Sequence, residues 1–275
     1  MTDVSIVIAG TNEKHYIEEC LNSIAASSTT YSNEIIVVDN ASTDGTAEMV
    51  REKYKHVKLI CNKEKMGYIY NNNMAMKDAK GRYILILNAD IELKKDTLQV
   101  MIDFMDKHPE TAVSGCRLNF ADGDLQLTCR RFPTPYTYLN RMPHFFRWFK
   151  GGKKFADGKE VHRYLMMDYD HATTREVNWF LSAFFLMRRS VIDKIGAFSE
   201  DLVQPFYLED MDWCFRAHEA GYKVYYIPET SAIHHYQRGS VKKFGWLSVV
   251  HMLNIMIFFR KHGWAILQGK HKEWQ

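Results

Sequence analysis

Ile35-Ile36-Val37-Val38-Asp39-Asn40-Ala41-Ser42-Thr43-Asp44-Gly45-Thr46 is an apolar run that stops at a carboxylate and then turns polar. Residues 35–38 are uninterrupted and β-branched, the pattern of a strand buried on both faces. Asp39 sits at its carboxyl end, where open parallel sheets bind ligands in the crevice beyond the strand ends. A carboxylate there can accept from a base or a ribose. The polar residues that follow, Asn40 first, lead into a helix over residues 43–54. Asp44 near its start reads as a helix cap, which leaves Asp39 without a structural purpose.

The same rhythm extends outward in both directions. Residues 4–8 form a first buried strand, and residues 14–26 show helical spacing with Tyr16, Ile17, Cys20, Leu21 and Ile24 on one side. A third strand over 57–61, a helix over 71–79 and a fourth strand over 83–87 continue it. This βαβαβαβ order predicts an α/β fold with a mostly parallel central sheet flanked by helices. A helix over 97–107 and a strand over 112–116 follow. The rhythm then breaks across residues 119–176, and a stretch that long inside a compact domain is usually functional. Regular structure resumes over 177–187, with helices over 189–195 and 210–220 and a strand over 223–227.

The bulk numbers bound the function. The chain has 275 residues, 46% of them hydrophobic, enough to bury one large core or two small ones. A formal charge of +3 shows no strongly basic face, so no nucleic-acid partner is expected. Cys20, Cys61, Cys116, Cys129 and Cys214 are odd in number and never paired as CxxC, which argues against disulfides and structural zinc. A reducing, cytoplasmic location is expected. Met1-Thr2-Asp3 runs directly into a strand, so no signal peptide is read. No apolar run reaches the ~20 residues of a membrane span.

Three further clusters carry chemistry. Asn88-Ala89-Asp90 ends the fourth strand, and a carboxylate facing the same crevice as Asp39 suits Mn2+ or Mg2+ completed by substrate phosphates. Glu209-Asp210-Met211-Asp212 places three carboxylates at a helix start. The helix dipole accounts for one or two of them, and a general base accounts for another. His234-His235-Tyr236-Gln237-Arg238-Gly239-Ser240 could bind a metal or a diphosphate, and a ligating His234 or His235 favours Mn2+.

Two segments suggest partners. The helix over 244–262 is nearly encircled by apolar residues, with a thin polar stripe of Ser248, His251 and Asn254 and a basic tail after it. It reads either as a helix packed against the domain or as one lying on an anionic membrane, at the inner face of the plasma membrane. Phe145-Phe146-Arg147-Trp148-Phe149-Lys150-Gly151-Gly152-Lys153-Lys154 alternates aromatics and cations. It suits sugar stacking or a lipid diphosphate, a surface loop, or a homodimer contact.

In this order the motifs resemble the family 2 glycosyltransferases with the GT-A fold. The resemblance is carried by residues 4–8 with Asn12, 34–46, 62–73 with Gly67, 88–90 and 206–212. A finer likeness, to the bacterial rhamnosyltransferase branch, rests on residues 122–126, 130–134, Val177-Asn178-Trp179, Arg188-Arg189 and His234 to Ser240. Asn88 stands where many relatives have Asp, Ser182-Ala183 where they usually have Gly-Ala, and Asn178 where Asp is frequent.

The resemblance implies an inverting, metal-dependent transferase. It would move L-rhamnose from dTDP-L-rhamnose, or a sugar from a UDP-sugar, to a glycan or lipid-linked glycan acceptor in surface polysaccharide or cell-wall synthesis. Asp39 would hold the base, and Asp90 with His234 the metal. Asn12, Asn40, Gly67, Asn72, Asn73, Asn88, Ala89, His235, Arg238 and Ser240 would contact the donor. Asp210 would be the base, with Glu209 or Asp212 as alternatives; Trp179, Ser182, Ala183, Glu209 and Asp212 would meet the acceptor. Residues 1–118 would form the nucleotide-sugar half, 119–240 the acceptor and catalytic half of the same domain, and 241–275 a C-terminal helix and basic tail.

Rival readings fit less well. A sugar nucleotidyltransferase would carry a Gly-rich basic loop after the first strand, but Ala9-Gly10-Thr11-Asn12-Glu13 holds one glycine and an acid. No G-x-G-x-x-G follows any strand, which disfavours a nicotinamide dehydrogenase. A non-catalytic nucleotide- or glycan-binding relative is favoured by Asn88 alone.

Overall fold

The computed structural model describes residues 2–134, 137, 158–204, 208–235 and 246–267. Strand β1 (Val4–Gly10) leads to helix α1 (Lys14–Ala25), β2 (Asn33–Asp39), α2 (Thr46–Lys53), β3 (Lys58–Cys61), α3 (Tyr68–Asp78) and β4 (Tyr83–Asn88). A short β5 (Ile91–Leu93), α4 (Thr97–Lys107) and β6 (Thr111–Asn119) follow. Within 119–176 the described residues hold β7 (Leu125–Gln126), β8 (Cys129–Arg130), α5 (Gly158–Tyr164) and β9 (Arg175–Glu176). Next come β10 (Trp179–Phe180), β11 (Phe184–Arg188), α6 (Arg189–Ile195), α7 (Glu209–Glu219), β12 (Lys223–His234) and α8 (Trp246–Leu267).

The main sheet runs β3-β2-β1-β4-β11-β6-β12-β5. Strands β3, β2, β1 and β4 are parallel, so their carboxyl ends share one edge. β11 is antiparallel to both β4 and β6, while β12 is parallel to β6. The strands are apolar throughout because both faces are covered, and alternation divides their side chains between two cores. Ile6, Ile8, Ile35, Val37, Leu85 and Leu87 pack under α1, α2 and α4. Val7, Ile36, Val38, Ile84 and Ile86 face the other way, in the core that also takes Trp213 and Phe215 of α7.

The structure departs from the sequence reading in places that shape the crevice. The regular structure expected over 177–187 is two strands, β10 and β11, separated at residues 181–183. The strand expected to stop at 227 runs on to His234, past Pro228, because a register shift between Ile227 and Ser231 absorbs the proline. The added length pairs with β5, a strand too short to read from sequence. All five cysteines are free, and Cys61 alone is exposed.

The C-terminal helix packs against the domain through Asn254, one residue of its polar stripe. Asn254 is fully buried and grips Val203 from both sides, accepting from its N–H at 2.6 Å and donating to its carbonyl at 2.9 Å. Val250 and Phe258 are fully buried as well. Among the described residues, no helix is long and apolar enough to cross a membrane. The aromatic-cationic stretch 145–154 lies outside the described residues.

Candidate active site

A cleft of about 800 Å3 opens at the carboxyl ends of the parallel strands. Its donor-side wall is built by the loops after β1, β2 and β3. Asn40 is buried and uses its whole amide: Nδ2 donates to Thr11 Oγ1 (3.0 Å) and the Met66 carbonyl (3.1 Å). Its Oδ1 accepts from Asn62 Nδ2 (2.9 Å) and the Met66 N–H (2.8 Å). Asn62 also donates to Asn71 Oδ1 at 2.7 Å. Polar groups satisfied in this way fix loop positions rather than leaving them to ligand contact. Asp39 differs: it is not itself among the lining residues, its carboxylate is buried beside Asn40, and Oδ1 has no hydrogen-bond partner among the described residues. Such an orphan costs about 1–3 kcal/mol unless a ligand satisfies it.

At the centre, Asn88, Ala89 and Asp90 line the cleft after β4. Asn88 donates its backbone N–H to the Ala183 carbonyl at 2.9 Å. Asp90 is buried, with Oδ1 3.3 Å from Nε2 of His234, whose Nδ1 lies 2.7 Å from Gln126 Oε1. Glu13 shares this corner; burial first, then the Asp90 charge, pushes its carboxyl up to about 7. The Asp90 and Glu13 carboxyl oxygens are donors of the kind Mn2+ or Mg2+ takes, and the His234 imidazole beside them favours Mn2+ of the two. Asp90 and His234, the two residues expected to hold a metal, thus stand side by side at this wall.

The far wall carries Arg130, Tyr164, Trp179, Ser182, Ala183, Glu209, Asp210 and His251. Helix α7 starts from Leu208, held at φ 73°. A non-glycine in that region is strained by about 1–2 kcal/mol, and the sharp entry turns Glu209 and Asp210 into the cleft. Asp210 is buried; its Oδ1 accepts from its neighbour Met211 N–H at 2.8 Å and its Oδ2 from Ser182 N–H at 3.2 Å. Burial pushes its carboxyl up to about 6, against the pull of those two N–H groups. Ser182 Oγ donates to Glu209 Oε1 at 3.4 Å. The break between β10 and β11 is what brings Ser182 and Ala183 here.

Several expected site residues do other work. Asn72 donates to the Tyr68 carbonyl (2.9 Å), and Asn73 clamps Phe198 through its N–H (3.1 Å) and carbonyl (2.9 Å). Asn71 is the asparagine that lines the cleft, since each helical residue turns about 100° and shares a face with Tyr68 three positions earlier. Asn12, at φ 56°, staples two loops by accepting from Thr43 N–H at 2.7 Å and donating its own N–H to Ser42 Oγ at 2.9 Å. Asp212 is fully buried away from the cleft, bonded to Ser199 (2.8 Å), Arg216 (2.9 Å) and His262 (3.0 Å). His235 turns to the opposite side of the sheet and bonds Glu92. Arg238 and Ser240 lie outside the described residues.

Sequence reasoning missed Lys65, Arg130 and Tyr164 as lining residues, and His251 was read only as part of a stripe. That stripe was the available signal for His251. Gly67 has a role of close approach: a Cβ there would come within 2.7 Å of Gln204 Cγ. Gly67→Ala is expected to cost about 1–3 kcal/mol by overpacking. Thermal unfolding of Gly67→Ala, Gln204→Ala and the double variant checks this; the double variant should recover most of the loss.

With this geometry in view, the comparisons place the chain. The family model for glycosyl transferase family 2 matches residues 5–196. The chain is 25% identical over 252 residues to N-acetylglucosaminyl-diphospho-decaprenol L-rhamnosyltransferase of Mycobacterium tuberculosis, covering 86% of this chain and 77% of that one. It is 23% identical over 235 residues to glycosyltransferase AglE of Haloferax volcanii, covering 84% and 66%. Among solved structures, GalNAc-T7 with UDP, GalNAc and Mn2+ superposes at a TM-score of 0.67, with 15% identity over 94% of this chain and 48% of that one. The Pyrobaculum calidifontis mannosyltransferase PcManGT, solved with GDP-Man and Mn2+, gives 0.58 at 20% identity, covering 95% and 66%. The chain thus spans less than two thirds of those two solved chains, and at such identities they establish a shared GT-A fold. By the extent of the family match, this chain belongs to glycosyl transferase family 2 and is a glycosyltransferase.

Proposed function

We propose that the protein is an inverting, metal-dependent transferase that moves L-rhamnose from dTDP-L-rhamnose to a hydroxyl of a glycan or lipid-linked glycan. The observation that carries the reading is the sharing of one cleft by Asp90, His234 and a buried Asp210 whose carboxyl is pushed upward. Similarity to the mycobacterial rhamnosyltransferase supports the donor sugar. A UDP-sugar is the second reading, because uracil and thymine offer the same imide N–H.

In this mechanism Asp39 accepts from the base at the buried end of β2, and Asn40 and Asn71 hold the loops that frame it. Lys65 faces the diphosphate from the donor wall. Asp90 and His234 would hold the cation, which when bound supplies neutralisation of the diphosphate charge. Asp210 takes the proton from the acceptor hydroxyl as the new glycosidic bond forms and the nucleoside diphosphate departs. A single displacement of this kind inverts the anomeric centre. Tyr164 and Trp179 offer aromatic walls to the acceptor sugar, and Arg130 a cation beside it. Met252 and Met256 are 38% and 52% exposed and align with Arg260 along the outward side of α8, the face that would meet an anionic membrane.

Asp39→Ala is expected to raise the donor Kd by about 10- to 100-fold, the worth of one charge-assisted hydrogen bond. Isothermal titration calorimetry measures it. The function itself is tested by nucleoside diphosphate release from dTDP-rhamnose, UDP-sugars and GDP-sugars in Mn2+. Selective turnover of dTDP-rhamnose supports the full reading. Turnover of a UDP-sugar alone keeps the transferase and discards the rhamnose donor.

A further inference from the structure

The two histidines at the end of β12 point in opposite directions. Strand pairing sets Ile233 opposite Glu92 and His234 opposite Ile91, and side chains alternate along a strand. His234 therefore enters the cleft beside Asp90, while His235 shares the other side of the sheet with Glu92. Helix α1 lies along the edge strand β5, tied to it by the Leu93 N–H donating to Ser23 Oγ at 3.0 Å. One turn before Ser23, α1 brings Glu19 to the same spot.

The geometry is already assembled. Nε2 of His235 lies 2.5 Å from Oε1 of Glu92. One ligand atom from each of Glu19, Glu92 and His235 lies within 4.8 Å of the others. The His235 ring rests on Tyr16, centroids 5.6 Å apart, and its backbone N–H donates to the Asp90 carbonyl at 3.0 Å. One turn back along α1, His15 puts Nε2 3.2 Å from Glu19 Oε1. All three core ligands are half-buried, so two carboxylates face one imidazole with limited solvent to screen them.

We infer that Glu19, Glu92 and His235, joined by His15, form a second divalent-cation site of the zinc class, separate from the nucleotide cleft. Mixed imidazole and carboxylate donors favour a zinc-type ion over magnesium or calcium. Bonds of about 2.0–2.2 Å need small side-chain shifts from the present spacing. The ion would take the place of the direct His235–Glu92 contact. It pins α1 to β5 directly behind the turn that carries Asp90.

This site does not depend on the donor or acceptor assigned above, and its test removes the cleft metal first. The full chain carrying Asp90→Asn, stripped with EDTA, is dialysed against Zn2+, and its Tm is followed with and without the ion. The expected result is one bound ion per chain and a raised Tm. Both should be lost in Glu92→Gln and His235→Ala, with affinity falling at least about tenfold. His235→Ala also removes packing on Tyr16, so Glu19→Gln, on the helix surface, is the second arm, and it should show the same loss of affinity with a native circular-dichroism spectrum. Absence of saturable Zn2+ binding in the Asp90→Asn chain overturns the site. So does binding that Glu92→Gln and Glu19→Gln leave unchanged, which would put the ion on other surface histidines.

Discussion

Asp210→Asn is expected to lower kcat by about 100- to 10,000-fold, the share a positioned general base carries, while donor Kd stays within about twofold. The reason is local. Asp210 is buried at the start of α7, and its only role in the proposed chemistry is to receive the acceptor proton. Because burial raises its carboxyl to about 6, the base is protonated at acid pH, and kcat should fall as pH drops through that value. The same shift has a cost for folding: above about pH 6 the native state must hold a charge that the interior disfavours. Asp210→Asn should therefore raise Tm at pH 8 while removing activity, a trade found where a site is kept strained for function. Loss of donor binding in step with kcat would remove Asp210 from the base role.

Asp212→Ala, two residues on, is expected to act in the opposite way. It should cost about 3–5 kcal/mol, the usual penalty for breaking a buried ion pair from one side. At about 2–4 °C per kcal/mol this lowers Tm by roughly 10 °C. Burial alone would push Asp212 up. The His262 bond, the Arg216 and Lys261 charges and the Ser199 hydroxyl more than reverse that, holding the carboxyl well below its usual range. A carboxyl depressed in the folded state stabilises fully above its unfolded value and loses that contribution as pH falls through the folded one. The deficit of the variant should thus be full at pH 7 and fade in strong acid. Lys261 and His262 belong to α8 while Arg216 belongs to α7, so this one carboxylate fastens the C-terminal helix to the helix that carries Asp210.

The sheet was legible because its strands are continuous apolar runs, and helices over 97–107 and 189–195 match the observed α4 and α6 to the residue. Polar residues at the ends of β2 and β4 were legible for the same reason: a strand end fixes where a side chain stands. Helical phase was harder. Three adjacent asparagines, 71 to 73, look alike in sequence, yet 100° per residue separates a cleft-facing group from a clamp on Phe198. Asp212 shares its acidic run with Glu209 and Asp210, but its partners come from residues 199, 261 and 262, which local pattern cannot supply. His234 and His235 could be told apart only once β12 was seen to continue past Pro228. Burial of Asn254 on α8 comes from tertiary contact with Val203, which amphipathicity alone does not identify.

In the proposed mechanism the cleft takes a nucleoside diphosphate whose base reaches Asp39, and transfer is performed at Asp210. One calorimetric series tests it most directly: the Mn2+-loaded chain titrated with dTDP and UDP, alongside Asp39→Ala and Asp210→Asn. Single-site binding of one nucleotide is expected, weakened about 10-fold or more by Asp39→Ala and unchanged by Asp210→Asn. Binding that ignores Asp39→Ala, or no binding of either nucleotide, would contradict it.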